Sequence, residues 1–289
     1  MKNTILRRVS LIAGTLALVL VAAPASRAII MRHDVDEARY RDFGEKFRQQ
    51  LVELALPAQA DGAPMLYSGM GTLIAPHWVL TAGHAVAYMQ TAKPTAPDGR
   101  YYVFVKGRGY VVAKMIVHPQ YDENDYANDI ALIKLEHDVR EASPACLYDN
   151  DGEKDQIVSL AGTGFAGDGL KGPGLPDGAL RGATIRVDTA DGTQLTWQFR
   201  KPEDPRTTPL EGISGPGDSG GPAFISVDGK PCVAGVSSNQ RIEITGPPPE
   251  NGAVPRDNRE NVQGRYGVTE VYTRVSKYVS WIRQTMSAN

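Results

Sequence analysis

Cysteine is nearly missing from this chain: Cys146 and Cys232 are the only two in 289 residues. Two cannot build the dense framework of a small disulfide-stapled scaffold. Neither has a second cysteine or a histidine at metal-ligand spacing, so no zinc site is indicated. No acidic loop suggests a calcium site, and no cofactor is expected. Histidine is scarce too: His33, His77, His84, His118 and His137 all lie in the first half. The apolar run from Val9 to Ala23 is 15 residues long, short of the roughly 20 that cross a bilayer. There is no internal repeat.

What is present is ordinary globular composition, 42% hydrophobic and 22% charged. The 30 Gly and 20 Pro point to many turns and a β-rich body. The first 28 residues differ. Lys2, Arg7 and Arg8 precede the apolar run, and the small-residue stretch "PASRA" follows it. This is the layout of a cleavable export signal, with cleavage after Ala25 or after Ala28. Removing residues 1–28 takes away Lys2, Arg7, Arg8 and Arg27 and no acidic residue. That leaves 27 Lys and Arg against 33 Asp and Glu, a net charge of −6. Such a balance gives no reason to expect a nucleic-acid or anionic-membrane partner. The chain is expected to be secreted or periplasmic, with no membrane anchor once the signal is removed. An oxidising compartment permits one disulfide.

Residues 34–54 read as a helix: Tyr40, Phe43, Phe47, Leu51 and Leu54 recur at spacings of three and four, with Asp36 as N-cap. From Met65 the pattern becomes short apolar blocks bounded by Gly, Pro and Asp. "GTLIA" (71–75) and "WVLTA" (78–82) form a hairpin around Pro76-His77. Further strands are expected at 101–105, 110–117, 129–135, 156–162, 181–188, 193–199, 221–227 and 232–238. Many short strands with regular turns indicate a sandwich or barrel. Residues 146–154 connect two β units, and 239–266 form a long polar loop. Val275, Tyr278, Val279 and Ile282 lie on one face of a terminal helix.

The stretch "GPGDSGGPAF", 215–224, places Ser219 among glycines and directly after Asp218. Gly217 to Gly221 also fits the nucleophile elbow of the α/β-hydrolases, but that fold needs a histidine after the serine, and none follows. The order His, Asp, Ser remains open. His84 ends the apolar block of "LTAGHA", and Asp129 heads "DIALIKL". A serine hydroxyl needs an adjacent base. Imidazole titrates near working pH, and a carboxylate fixes its tautomer. Glycines let backbone N–H groups approach a developing oxyanion.

Together "TLIAPHWVLTAGH", "HPQYDENDYANDIALIKL", "GDSGGP" and "VYTRVSKYVSWIRQTM" closely resemble the trypsin/chymotrypsin-like serine endopeptidases, over roughly Ser68 to Met286. The resemblance implies an all-β fold of two six-stranded antiparallel barrels with a C-terminal helix. The first barrel would span about 29–145, the second about 146–275 and the helix about 274–286. It implies a monomeric exported enzyme acting on polypeptides, with His84 as base, Asp129 as orienting acid and Ser219 as nucleophile. Gly217 and Ser219 would donate to the oxyanion, and Ser237 would support Asp129. Ile213 would form the base of the primary specificity pocket, with Asn239 and Glu270 on its walls. A new terminus at Ile29 would pair with Asp218. The usual family disulfides are absent, since Ala85 and Gly215 stand where two cysteines are common, so Cys146 and Cys232 are expected to pair. Met31-Arg32 replaces two flexible glycines, a departure that bears on the Ile29–Asp218 pair. A catalytically silent binding protein and an esterase-like hydrolase are the alternatives.

Overall fold

The computed structural model describes residues 29–55, 67–92, 94, 98–241 and 263–289. The expected export signal and most of the 239–266 loop lie outside these residues.

Six strands close into an antiparallel barrel: β2 (Leu51–Ala55), β3 (Tyr67–Ala75), β4 (Trp78–Thr81), β5 (Tyr102–Val105), β6 (Arg108–Val117) and β7 (Ala131–Leu135). Their order around the barrel is β2-β3-β4-β7-β6-β5. The hairpin at Pro76-His77 is formed as the sequence indicates, with Ala75 opposite Trp78. Residues on both faces of its strands, such as Leu73 and Val79 on one side and Leu80 and Leu132 on the other, are fully buried.

The second half is built on β8 (Cys146–Leu147), β9 (Ile157–Gly162), β12 (Arg181–Arg186), β13 (Thr189–Asp191), β14 (Gln194–Gln198), β16 (Pro222–Val227), β17 (Lys230–Arg241) and β18 (Thr269–Arg274). The ladder runs β12-β9-β16-β17-β18-β14-β13, with β8 added beside β17. A smaller sheet holds β11 (Gly172–Pro176), β10 (Phe165–Asp168), β1 (Ile29–Met31) and β15 (Gly212–Ile213), in that order. Residues 29–31 therefore belong to the second half and not to the first barrel. Their three apolar side chains are buried between β10 and β15.

The helix expected over 34–54 is shorter. α1 spans Glu37–Glu45, with Asp36 capping it by accepting the Ala38 N–H at 2.9 Å. Gly44 lies so close to the Arg181–Gly182 backbone that a Cβ would meet the Arg181 carbonyl carbon at 2.5 Å. The chain then turns, and Leu51 pairs with Thr72 in the barrel. Leu51 and Leu54 continue the helical spacing by coincidence, as buried residues of a strand.

A 3-10 turn (Val275–Lys277) leads into α3 (Val279–Ala288). Val275, Tyr278, Val279 and Ile282 all pack into the first-barrel core, as their common face predicts. The end of the chain thus folds back onto the half that was made first. Cys146 and Cys232 lie directly opposite in the β8–β17 pairing, with Cα atoms 4.3 Å apart, and form a disulfide. Among the described residues, no helix is long and apolar enough to cross a membrane.

Candidate active site

His84 is the second residue of α2 (Gly83–Thr91), which starts where β4 ends. The sequence placed it on the strand end itself. Asp129 precedes β7 and is completely buried. Its Oδ1 accepts the His84 backbone N–H and its Oδ2 lies against His84 Nδ1, each at 2.8 Å. One carboxylate therefore fixes both the backbone and the ring of His84. The ring keeps about a fifth of its surface open, and Tyr126 stands edge-on to it with centroids 5.6 Å apart.

The hydroxyl that supports Asp129 is that of Ser238, which donates to Oδ2 at 2.6 Å. Ser237, the residue expected there, instead pairs with Ser214 at 3.2 Å. The reason is a bulge in β17: its pairing to β18 shifts register between Ser237 and Asn239. One extra residue reverses the in–out alternation along a strand. The same bulge moves the next expected contact. Among the described residues the Asn239 side chain reaches Ser238, while Gln240 donates to the Ser214 carbonyl at 3.1 Å. The Thr273 hydroxyl donates to the Asp129 carbonyl at 2.8 Å. Ser238 and Thr273 bring the second half to a carboxylate of the first.

Ser219 sits on the loop between β15 and β16. The loop is held against the first barrel: Met70 N–H donates to the Ser219 carbonyl at 2.7 Å. A Cβ on Gly69 would meet that carbonyl at 2.5 Å and Ala85 at 3.4 Å, so Ser219 lies beside the first turn of α2. Gly217 and Gly220 take φ values of 87° and 80°, the left-handed region that glycine enters without cost. Asp218 N–H donates to Gly215, Gly220 N–H to Ser237 and Gly221 N–H to Asp218. The N–H groups of Gly217 and Ser219 donate to no acceptor among the described residues.

Asp218 is buried. Its Oδ1 accepts Gly164 N–H at 2.7 Å and its Oδ2 accepts Gly215 N–H at 3.0 Å. Burial pushes its pKa up to about 6, while these amides and the Ile29 N–H pull the other way. Ile29 and Asp218 are thus brought together. Ile213 is fully buried opposite Ile30 in the β1–β15 pairing. Glu270 is buried as well. Its Oε1 accepts Ser214 N–H at 2.9 Å and the Ser214 hydroxyl, and its Oε2 accepts Trp197 Nε1 at 2.9 Å. Burial pushes its pKa up to about 7 against those donors.

The fold and this cluster define a class: a two-part β protein with a carboxylate-oriented histidine on one half and a glycine-loop serine on the other. A family profile described as Trypsin matches residues 60–282. The chain is 27% identical to tissue-type plasminogen activator of Rattus norvegicus over 75% of its length and 39% of the relative's. It is 28% identical to complement C1s subcomponent of Sus scrofa, over 76% of the chain and 32% of the relative. It is 30% identical to chymotrypsin-like elastase family member 1 of Macaca fascicularis, over 76% and 79%. The chain thus spans about a third to two fifths of the first two relatives and about four fifths of the third. It belongs to the trypsin family.

Proposed function

We propose that the chain is an exported serine endopeptidase that acts on polypeptides through an acyl-enzyme. The observation that carries this reading is the pair of N–H groups at Gly217 and Ser219 that donate to no acceptor among the described residues, on a loop whose neighbouring amides are bonded. Two donors fixed on either side of a serine suit an oxygen that becomes negative during attack on a carbonyl. His84, held by Asp129 through Nδ1, turns its other nitrogen to the cleft and takes the Ser219 Oγ proton as that oxygen bonds the scissile carbon. The imidazolium then protonates the leaving amine. Water repeats the sequence on the acyl-enzyme, and Ser219 is regenerated. The reaction as proposed uses no cofactor.

Cleavage after Ala28 gives a chain whose Ile29 amine can pair with Asp218. Ile213 and Glu270 are assigned to the primary specificity pocket, with Gln240 taking the wall place first given to Asn239.

The test is labelling of purified protein by a fluorophosphonate probe, with Ser219→Ala as control and digestion of an unfolded protein alongside. Labelling of the parent alone, with peptide fragments released, is the expected result. Absence of labelling in folded protein overturns the reading. Labelling without proteolysis moves it to an esterase-like hydrolase.

A further inference from the structure

We propose that Tyr40 and Arg181 are positioning residues that seat β1 against the Ser219 loop, so that this loop assembles in a chain still uncut at Ile29. The inference rests on the serine-hydrolase reading above.

The seat is built from both sides of β1. Ile30 and Met31 pair with Ile213 and Gly212 of β15, and Ile29 to Met31 pair with Ala166 to Asp168 of β10. The Tyr40 hydroxyl then ties the two strand ends together. It accepts Arg32 N–H, directly after β1, at 3.1 Å and donates to the Glu211 carbonyl, directly before β15, at 2.9 Å. Tyr40 is fully buried. It rides on α1, and α1 is fixed to β12 by Arg181. That guanidinium is also fully buried, and it binds Asp177 at 2.8 and 3.0 Å and Glu37 at 3.1 Å.

The consequence reaches the loop through Asp218. Ile29 is held at φ 62°, a conformation that opposes a β-branched side chain. Such a residue persists only where its surroundings over-determine it. There its backbone N–H bonds the Asp218 carboxylate beside those of Gly164 and Gly215. Arg181 lies across the β9–β12 ladder from Gly162, whose Cα packs on that carboxylate. Its charge also favours the ionised form of Asp218. An amide at Ile29, a buried cation behind the strand and a clamp on α1 together do the ordering. A free amine at Ile29 would add to a seat already filled.

Two forms test this: one starting at Ile29, released from a cleavable fusion, and one with a Gly-Ser extension ahead of Ile29, verified by intact mass. The fluorophosphonate labelling rate of the extended form is expected to lie within tenfold of the Ile29 form. Tyr40→Phe should slow the extended form at least tenfold more than the Ile29 form, a difference that a general loss of stability would not make. Glu37→Gln gives the same reading if Tyr40→Phe does not fold. Labelling of the extended form more than tenfold slower than the Ile29 form, or equal slowing of both forms by the variant, overturns the inference. If neither form labels, the serine-hydrolase reading fails and this inference with it.

Discussion

The Ser238 hydroxyl lies 2.6 Å from Asp129 in a site without solvent around the carboxylate. Hydrogen bonds to charged groups contribute about 1.5–3 kcal/mol, so Ser238→Ala should lower kcat by roughly ten- to a hundredfold. Ser237→Ala removes hydrogen bonds to Ser214 and Tyr272 and none to Asp129, and should leave kcat within about twofold. Ester hydrolysis by the two variants separates them. Glu270 offers a second test at this scale. The folded protein holds its proton more tightly than the unfolded chain does. The contribution of this group to stability is therefore fully present below the unfolded value of 4.5 and is lost as pH rises through about 7. At about 1.4 kcal/mol per unit, the loss between pH 4 and pH 8 is roughly 3 kcal/mol. Urea melts at several pH values should show this slope flattened in Glu270→Gln.

At the scale of elements, the Ser219 loop leaves no room for added bulk at Gly220. A Cβ on Gly220 would meet Thr81 Oγ1 at 2.2 Å at a φ of 80°. The left-handed backbone alone costs about 1–2 kcal/mol, and Gly220→Ala should destabilise by more than that in a urea melt and abolish labelling of Ser219. The hairpins were legible in the sequence because apolar blocks such as "GTLIA" and "WVLTA" are bounded by turn formers, and strand pairing follows from such blocks. His84, Asp129 and Ser219 were legible as residue types in distinctive settings. Ser238 was not, because a bulge is set by the competing register of two ladders and leaves no mark in one strand's sequence. The α1 boundary was missed for a similar reason. Leu51 and Leu54 keep the helical spacing, while contact between Gly44 and a strand 137 positions later sets where the helix can run. Tyr126 was in plain view, but only the folded loop sets its ring against His84.

At the scale of the whole molecule, the Cys146–Cys232 bridge closes a loop across 86 positions within the second half. A loop of that length corresponds to about 4.6 kcal/mol in the chain-entropy account. The Cys146→Ser, Cys232→Ser double variant should lose an amount of that order in denaturant unfolding. Cys232 is buried in the second core while Cys146 is exposed, so the bridge ties the connecting segment onto that core.

The dependence of Asp129 on Ser238 and Thr273, and the packing of α3 on the first barrel, have a consequence for synthesis. The barrel that carries His84 and Asp129 leaves the ribosome well before any of its late partners. A nascent chain that has emerged only as far as Gly215 holds no serine loop, and one ending near Arg241 still lacks the Thr273 strap and the helix that covers the barrel core. For a protein proposed to cut its own kind of material, the order of the parts is a form of delay: the support of Asp129 and the cover of the barrel core are incomplete until β18 and α3 have been made.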